Sequence, residues 1–400
     1  MSVYLDHAAT TPVRPTAAQA WLGAVTTGGN PSSLHGDGRV ARRTLEESRE
    51  AVARALGVGP SEVVLTAGGT EADNLGVKGL YAARQRSDPR RTRVLCSPVE
   101  HHAVLDCVLW LEQERGAQVV WLPVDATGRV DVAAARDLLE QDPDATALLT
   151  CMWANNEVGT VQPVAELVRA AHAVGVPVHV DAVQAVGWLE GSLSALGADT
   201  LAVSGHKLGA PVGSGALVVR RGVELEAVLH GGGQERGVRS GTVDAGAAAA
   251  LAVAVAEAVA EQPVESVRVA ALRDRLAAGV LALDPGAVVR GADPGEPGAR
   301  LPTNLHVTFS GCEGDSLLYL FDAQGVSVST GSACRAGVPE PSHVLRAIGV
   351  GEDDARGALR FSFGRTSSEE DVDRALAVLP GVLARARAAA ARVAGTVAAS

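Results

Sequence analysis

A single lysine stands at the centre of a Gly- and Ser-rich loop between two apolar runs. Thr200–Val203 and Ala216–Val219 are rich in β-branched residues and leucine, a pattern that predicts buried strands. Lys207 lies between them, close to Ser204 and His206. A lysine amine held between rigid strands, with little other positive charge nearby in sequence, has the features of a Schiff-base nucleophile. The loop alone favours an ordinary solvated lysine, so the prediction depends on its surroundings.

Two further motifs could bind parts of a cofactor. Gly68-Gly-Thr-Glu71 follows a predicted strand and opens a predicted helix, where backbone N–H groups and the Thr70 hydroxyl can hold an anion such as phosphate. A glycine turn with Thr as N-cap explains the same residues equally well. Asp181 ends another predicted strand and is followed by Gln184. This acid either keeps a pyridine nitrogen protonated or bonds its own turn.

Strands and helices alternate along the chain and must position these residues. Predicted strands lie at Glu62–Thr66, Arg93–Ser97, Gln118–Leu122, Thr146–Met152 and Val176–Val180, and predicted helices at Gly38–Leu56, Glu71–Arg86, His102–Arg115, Asp131–Leu139 and Pro163–Val174. So regular an alternation predicts an α/β protein with a mostly parallel sheet covered by helices. Binding residues are then expected at the carboxyl ends of the strands.

The composition of the sequence changes after about residue 260. Pro263 precedes a charged helix that is expected to end near Leu283, and the Pro- and Gly-rich segment Gly291–Gly298 follows. These features predict that a second, smaller domain begins here. Its predicted strands are Asn304–Phe309, Val326–Ser329 and Ala358–Phe363, and its predicted helices are Glu313–Asp322, Ser342–Ile348 and a segment within Ser368–Ala399. This interleaving indicates an α+β domain.

Composition and charge narrow the possible partners. The chain has 400 residues, 47% of them hydrophobic, and a formal charge of −11, which gives no basic surface for nucleic acid and no general attraction to anionic membranes. The apolar run Ala245–Ala256 is shorter than the ~20 residues that span a bilayer, so it predicts a helix packed inside the protein. The first residues lack the pattern of a signal peptide, which predicts a cytoplasmic protein. Small-molecule chemistry is therefore favoured.

The sequence motifs argue against several other kinds of site. The five cysteines are an odd number without a Cys-x-x-Cys pair, which argues against a disulfide framework and a cysteine zinc site, and we expect no metal. Gly36–Ala41 follows a polar loop instead of the strand that a dinucleotide fingerprint needs. His230–Gly233 imitates an esterase oxyanion loop, but no Gly-x-Ser-x-Gly elbow accompanies it. Dehydrogenase and esterase chemistry are therefore disfavoured.

The remaining candidates form a set that suits pyridoxal 5'-phosphate. They offer one Schiff-base lysine, one pyridinium partner, one imidazole to face the ring and several groups for a phosphate. At this point the sequence closely resembles the cysteine desulfurases of the class V aminotransferase fold. The matching stretches are Tyr4–Pro12, Thr66–Asn74, Val99–Asp106, Asn155–Gly159, His179–Gln184, Ser204–Lys207, His230–Thr242, Ser329–Cys334 and Leu359–Arg365.

The resemblance implies a role for each candidate. It implies that Lys207 carries the cofactor, Asp181 pairs with the pyridine nitrogen, His101 stacks on the ring and Gln184 bonds its hydroxyl. The implied phosphate ligands are Gly69, Thr70, Ser204, His206 and, from the other subunit of a homodimer, Thr242. Asn156 is implied in cofactor and substrate binding, and Arg360 would bind the substrate carboxylate through its bidentate fork. A large cofactor-binding domain would span residues 15–260, and residues 1–14 with 261–400 would form the small domain.

The implied reaction converts L-cysteine to L-alanine and leaves the sulfur on Cys334 as a persulfide. Cys334 needs local help to ionise, for example from Arg335 or His101, because a free thiol has a pKa of ~8.5. The sulfur would pass to an acceptor protein, either an iron–sulfur scaffold or a tRNA-thiolating enzyme. Arg335-Ala336 departs from the small hydroxyl residues of many relatives, which leaves the acceptor open. A selenocysteine lyase, another class V enzyme and a non-catalytic scaffold of sulfur metabolism remain alternatives.

Overall fold

The computed structural model describes residues 2–331 and 342–397, with side chains as far as residue 392. The strands are β1 Val3–Tyr4, β2 Val63–Thr66, β3 Arg93–Cys96, β4 Gln118–Trp121, β5 Thr146–Thr150, β6 Val178–Asp181, β7 Thr200–Ser204, β8 Gly215–Val219, β9 Val288–Arg290, β10 Asn304–Thr308, β11 Val326–Ser327 and β12 Ala358–Ser362. The helices are α1 Pro15–Thr27, α2 Gly36–Leu56, α3 Gly69–Ser87, α4 His102–Arg115, α5 Val132–Gln141, α6 Val164–Ala173, α7 Leu193–Leu196, α8 Ala245–Leu283, α9 Gly314–Asp322, α10 His343–Ala347, α11 Glu352–Arg356 and α12 Glu369–Val397.

A seven-stranded sheet forms the larger lobe, in the order β2-β8-β7-β6-β5-β3-β4. Only the pairs that involve β8 are antiparallel, and the other four pairs are parallel. The residues of β5 and β6 are all buried, as expected where helices cover both faces of a parallel sheet. The predicted α/β class with a mostly parallel sheet is confirmed. The carboxyl ends of β6 and β7 lie side by side, because these two strands are parallel neighbours.

A second hydrophobic core lies beneath a three-stranded antiparallel sheet of β12, β10 and β9. The N-terminal strand β1 pairs in parallel with β11, so that Val3 lies opposite Val326. The first core includes residues of α8 as far as Ala258, and the second includes α8 residues from Val269 onwards. The assignment of residues 15–260 to one domain, and of residues 1–14 with 261–400 to the other, stays a prediction.

One continuous helix connects the two cores, which corrects the expectation of a separate helix after residue 260. α8 runs through Pro263, which has no N–H for the carbonyl oxygen of Val259. Beside it, the Ser266 hydroxyl donates to the carbonyl oxygen of Trp188 at 2.7 Å and ties the helix to the larger lobe. Apolar packing on both sides of the proline outweighs the lost hydrogen bond.

By length and composition alone, α8 is also long and apolar enough to cross a membrane. Core helices of globular proteins meet the same criterion. Leu251 packs in the first core and Leu276 in the second, so both halves of α8 contribute buried side chains to the protein interior. We therefore describe α8 as a core helix, in agreement with the packing expected for its alanine-rich first half.

Five elements escaped the sequence analysis. They are the strands β1 and β9, of two and three residues, the short helices α7 and α11, and the 13-residue helix α1. Strands this short have too few residues to show alternation, and α11 spans little more than one turn. β1 is the important omission, because it brings the N-terminal residues to the cavity described below.

A buried ion pair fixes the glycine-rich loop that precedes Thr242. The side chains of Arg49 and Glu235 are 6% and 1% exposed, and Arg49 Nη2 lies 2.7 Å from Glu235 Oε1. The other oxygen of Glu235 accepts the N–H of Leu65 at 2.9 Å. Glu235 and Arg236 have φ angles of 44° and 57°, in the left-handed region that non-glycine residues seldom occupy. The ion pair helps to hold this strained turn.

We expect Glu235→Gln to lower the free energy of unfolding by ~3 kcal/mol, because it leaves the buried charge of Arg49 with only the half-exposed carboxylate of Glu46 as a counterion. The matched control is Glu352→Gln, which removes the exposed pair with Arg356 and should change that free energy by less than ~0.5 kcal/mol. Urea denaturation followed by circular dichroism measures both. Equal effects of the two substitutions would contradict the structural role of the buried pair.

Candidate active site

A cavity of ≈ 360 Å³ lies at the carboxyl ends of β6 and β7, beside the starts of α3 and α4. Residues from both lobes line it. They are Ala8, Ala9, Gly69, Thr70, Asp73, His101, His102, Ala103, Met152, Asn156, Glu157, Asp181, Val183, Gln184, His206, Lys207, Ser329, Gly331, His343 and Arg360. This is the position at which parallel α/β sheets bind their ligands.

Lys207 ends the short 3-10 helix that follows β7. Its Nζ atom donates to the carbonyl oxygens of Ala8 and Ala9, at 2.5 and 2.7 Å. These carbonyls belong to the turn after β1, so the N-terminal segment covers the lysine that the large sheet presents. The amine is therefore held by two uncharged acceptors inside the cavity.

Burial is the main influence on the protonation of Lys207. Burial and then the nearby Arg360 guanidinium lower the pKa of the amine to about 8, although the Asp181 and Asp6 carboxylates act in the opposite direction. At pH 7 a pKa of about 8 leaves about a tenth of the amine neutral, against less than about a thousandth for an ordinary lysine. The site thus supplies the unprotonated amine that carbonyl chemistry requires.

Asp181 lies at the end of β6 and lines the same cavity. Its Oδ1 atom accepts the N–H of Val183 at 2.9 Å. Burial raises the pKa of this carboxyl to about 6, while the hydrogen bond from Val183 and the charge of Lys207 lower it. A carboxylate in this position can pair with a cationic ring nitrogen, and that pairing would favour its charged form.

A second acid lies beside the first. Asp73 lines the cavity, and its Oδ1 atom lies 3.2 Å from His179 Nε2. Burial, followed by the charge of Asp181, raises the pKa of Asp73 well above its usual value, and burial lowers the pKa of His179 to about 3. Burial therefore disfavours the charged form of both Asp73 and His179.

His101 is the N-cap of α4 and faces the cavity. Its Nδ1 atom accepts the N–H of Ala103 at 3.1 Å, so the neutral ring carries its proton on Nε2. Burial and then the charge of Lys207 lower the pKa of the ring to about 4. The cavity therefore contains a neutral imidazole with a fixed donor nitrogen.

The start of α3 forms an anion-binding end of the cavity. α3 begins at Gly69, and a Cβ atom there would lie 2.8 Å from Val183 Cγ2 and 3.1 Å from Ser204 Cβ. The start of α3 therefore packs so closely against Val183 and Ser204 that position 69 has room only for glycine. Thr70 and His206 line the same end, where the first N–H groups of the helix have no partner within the helix. A phosphate suits these donors.

Arg360 brings a second cation from β12 of the smaller lobe. Its Nη1 atom donates to the carbonyl oxygen of Asn156, and its Nη2 atom pairs with Asp6 Oδ1, both at 2.9 Å. Its buried Nε atom has no hydrogen-bond partner among the described residues. The guanidinium thus retains a donor for an incoming carboxylate.

Most of the predicted site residues meet in this one cavity. These are Gly69, Thr70, His101, Asn156, Asp181, Gln184, His206, Lys207 and Arg360. Gln184 donates to the carbonyl oxygen of Ala8 at 3.0 Å. Ser204 is buried directly behind Gly69. Thr242 lies outside this lining, at a separate small cavity of the same chain, and Cys334 lies outside the described residues.

The sequence analysis missed five lining or adjacent residues. Asp6 pairs with Arg360, and Asp73 lies beside Asp181, as described above. Glu157 accepts the Ser342 hydroxyl at 2.5 Å, and His343 Nε2 lies 2.9 Å from the carbonyl oxygen of Glu100. His102 and His343 face each other at the cavity with ring centroids 5.0 Å apart. Tyr4-Leu-Asp-His was recognised as a matching stretch, and it held the signal for Asp6.

The four described cysteines are all buried. Burial raises the pKa of each thiol, to about 12 for Cys107 and well above its usual value for Cys96 and Cys151. Burial also raises the pKa of Cys312. None of these four lines the cavity, so they have neither the access nor the ionisation that a reactive thiol needs.

The cavity has the groups that pyridoxal phosphate needs. The first N–H groups of α3 can bind a phosphate, Asp181 can face a pyridine nitrogen, and Lys207 offers an amine that is partly neutral at pH 7. A family model for aminotransferase class V matches residues 3–375. The chain belongs to this family. Family members use pyridoxal phosphate, so the chemistry of the donor set agrees with the family assignment.

Proteins similar to this chain include cysteine desulfurases. The chain is 54% identical over 392 residues to an IscS-like cysteine desulfurase of Mycobacterium tuberculosis, a match that covers 98% of this chain and 99% of the relative. A solved NifS-like protein is 35% identical with a TM-score of 0.87, and covers 96% of this chain and 100% of its own. SspA in complex with cysteine is 32% identical with a TM-score of 0.77, over 91% of this chain and 99% of its own.

The titration of Lys207 can be measured in the cofactor-free protein. Labelling of its amine should rise with pH through a midpoint near 8, because only the neutral amine reacts. Arg360→Gln should raise the midpoint by removing a positive charge, and Asp181→Asn should lower it by removing a negative charge. The chain has only two lysines, Lys78 and Lys207, so peptide mapping separates them. A midpoint above 10 for Lys207 would contradict this account of its environment.

Proposed function

We propose that this protein is a cysteine desulfurase that uses pyridoxal 5'-phosphate to convert L-cysteine to L-alanine. The observation that carries the proposal is a partly buried lysine of lowered pKa that shares one cavity with Asp181 and Arg360. These residues can respectively bind a cofactor carbonyl, a pyridine nitrogen and a substrate carboxylate. The cysteine desulfurases among the similar proteins support the same activity.

Different residues of the cavity would bind different parts of the cofactor. Gly69, Thr70 and His206 would hold the phosphate, with Ser204 behind them. Asp181 would pair with the ring nitrogen, and Gln184 would bond the ring hydroxyl. The bound cofactor would supply an electron sink that weakens bonds at the substrate's Cα and Cβ atoms.

Two neutral groups would move protons at the substrate. Lys207, freed when the substrate binds, would remove the Cα proton, and its lowered pKa suits this role near neutral pH. His101 presents the proton on Nε2 toward the cavity, and we propose that it faces the ring and exchanges protons with the substrate. Arg360 and Asn156 would hold the substrate's carboxylate so that these groups reach the reacting atoms.

Cys334 is the proposed sulfur acceptor. Its thiolate would attack the sulfur of L-cysteine, forming an S–S bond, while the electrons of the broken C–S bond stay with Cβ, which takes up a proton to become the methyl group of alanine. Two observations support this choice: the other four thiols are buried, and Ser329, Gly331 and His343, on either side of residues 332–341, line the cavity.

The Cys334→Ala variant separates substrate binding from sulfur transfer. It should still change the visible absorbance of the cofactor when L-cysteine is added, because the groups that bind cofactor and carboxylate are intact. Turnover should fall by several orders of magnitude, because the nucleophile of the covalent step is missing. Cys312→Ala is the matched control, and its turnover should remain near that of the unaltered protein.

Rapid-scan absorbance follows binding in that experiment, and assays of alanine and sulfide follow turnover. Release of alanine by Cys334→Ala at an unaltered rate would contradict the persulfide mechanism and favour a lyase or another class V reaction. Borohydride reduction followed by peptide mapping tests the cofactor lysine separately. Cofactor found on Lys78 would contradict the assignment to Lys207.

We also propose a homodimer in which each site receives Thr242 from the partner subunit. Thr242 is exposed and lies outside the cavity of its own chain. Large apolar side chains are exposed on α1 nearby: a Cβ atom on Gly246 would lie 2.5 Å from Val25 Cγ1 and 3.1 Å from Trp21 Cδ1. An exposed apolar helix face next to a loop that carries a phosphate ligand suits a subunit interface.

Leu22→Asp should weaken this dimer, because Leu22 is 55% exposed on α1 and a charge there would be buried between subunits. Light scattering over a dilution series measures the change, and cofactor should be lost in parallel if Thr242 acts across the interface. Tyr319→Asp is the control, since Tyr319 is 71% exposed on α9 of the other lobe. A fully active monomer of the unaltered protein would contradict the proposal.

The destination of the sulfur is proposed only as a class of protein. The IscS-like relative supports delivery to an iron–sulfur scaffold, and a tRNA-thiolating enzyme is the other candidate. A cytoplasmic location stays a prediction from the sequence. Co-purification of partners with persulfide-trapped protein would identify the acceptor.

A further inference from the structure

The turn after β1 contacts both cations of the cavity. Ala8 and Ala9 accept from Lys207, and Asp6 pairs with Arg360. Two hydrogen bonds hold the backbone of Asp6 in place. Its carbonyl oxygen accepts the N–H of Ala9 at 3.1 Å and the Tyr4 hydroxyl at 3.2 Å. The side chain of Asp6 is thus presented to Arg360 by a hydrogen-bonded turn.

Asp6 already occupies part of the guanidinium that a substrate carboxylate would use. The Arg360 side chain is 5% exposed and that of Asp6 is 22% exposed, so their ion pair is only partly screened by water. The Nη1 atom of Arg360 is engaged with the carbonyl oxygen of Asn156, whereas Nε is buried and without a partner among the described residues. A second carboxylate must therefore bind Arg360 beside the negative charge of Asp6.

We infer that Asp6 is a positioning residue that competes with the carboxylate of the amino acid for Arg360 and thereby weakens the binding of both substrate and product. This inference rests on the proposed role of Arg360. L-cysteine and L-alanine carry the same carboxylate and ammonium groups, so any strengthening of the Arg360 contact also delays release of the product. Like charges near one guanidinium lower its affinity for the added carboxylate.

Asp6 also has a second function in the empty cavity. Without it, Arg360 would keep only the Asn156 carbonyl oxygen as an acceptor among the described groups, and a buried cation without a counterion is unfavourable. The carboxylate of Asp6 thus fixes the guanidinium in place before the amino acid arrives. Its charge opposes the arriving carboxylate, while its hydrogen bond maintains the geometry that the carboxylate needs.

Asp6→Asn separates these two effects, because the amide oxygen can still accept from Arg360 whereas the charge is gone. The probes are L-alanine and ethylamine, which is alanine without its carboxylate. Binding of each to the cofactor-loaded protein is measured from the change in visible absorbance. Asp6→Asn should tighten L-alanine on the order of tenfold and leave ethylamine within about twofold. The KM for L-cysteine should fall in the same direction.

Two further variants complete the experiment. Asp354→Asn, which removes the partner of Arg290 in the same lobe, is the matched control and should leave the binding of both amines unchanged. Arg360→Gln should weaken L-alanine strongly and leave ethylamine unaltered. If Arg360→Gln leaves L-alanine unaltered, the proposed carboxylate site itself is wrong. If Arg360→Gln weakens L-alanine but Asp6→Asn fails to tighten it, the inference about Asp6 alone is overturned.

Discussion

The burial of a lysine amine beside a guanidinium is the constraint on which the site depends. Lys207 and Arg360 both lie in the cavity, and burial together with their mutual repulsion keeps the amine partly neutral. Two carbonyl oxygens, those of Ala8 and Ala9, hold the amine without adding charge, and Asp6 neutralises the guanidinium. The site therefore maintains a partly neutral amine and a cationic anchor in one cavity.

That constraint requires both lobes. The parallel neighbours β6 and β7 present Asp181 and the loop of Lys207, whereas β12 of the smaller lobe presents Arg360. The turn after β1 lies between them and contacts each. α8 contributes to both hydrophobic cores as one uninterrupted helix, so the lobes share a rigid element in addition to the cavity. The relative position of the two cations thus depends on packing far from the cavity.

The site residues that could be predicted from the sequence lie next to short sequence patterns that indicate a turn, a helix start or a buried strand. Gly68-Gly-Thr-Glu71 combines a turn with a helix start, and Asp181 and Lys207 each follow a run that predicts a buried strand. Asp6 lies in the matching stretch Tyr4–Pro12 but in no local pattern that indicates its role, because that role depends on β1 pairing with a strand more than 300 residues later and on the approach of β12. Pro263 gave a local signal that was wrong. Proline usually ends a helix, but α8 continues through Pro263 because its residues pack in both hydrophobic cores.

The pairing of β1 with β11 also imposes an order on biosynthesis. Val3 is made 323 residues before its partner Val326, and translation at ~5–20 residues per second places about 15 to 60 seconds between them. During that interval the large sheet can form, but the turn that covers Lys207 has no strand to anchor it. The cavity is therefore completed only when synthesis of the smaller lobe is nearly finished. Until then the amine of Lys207 stays almost fully protonated, because the burial that lowers its pKa has not yet formed.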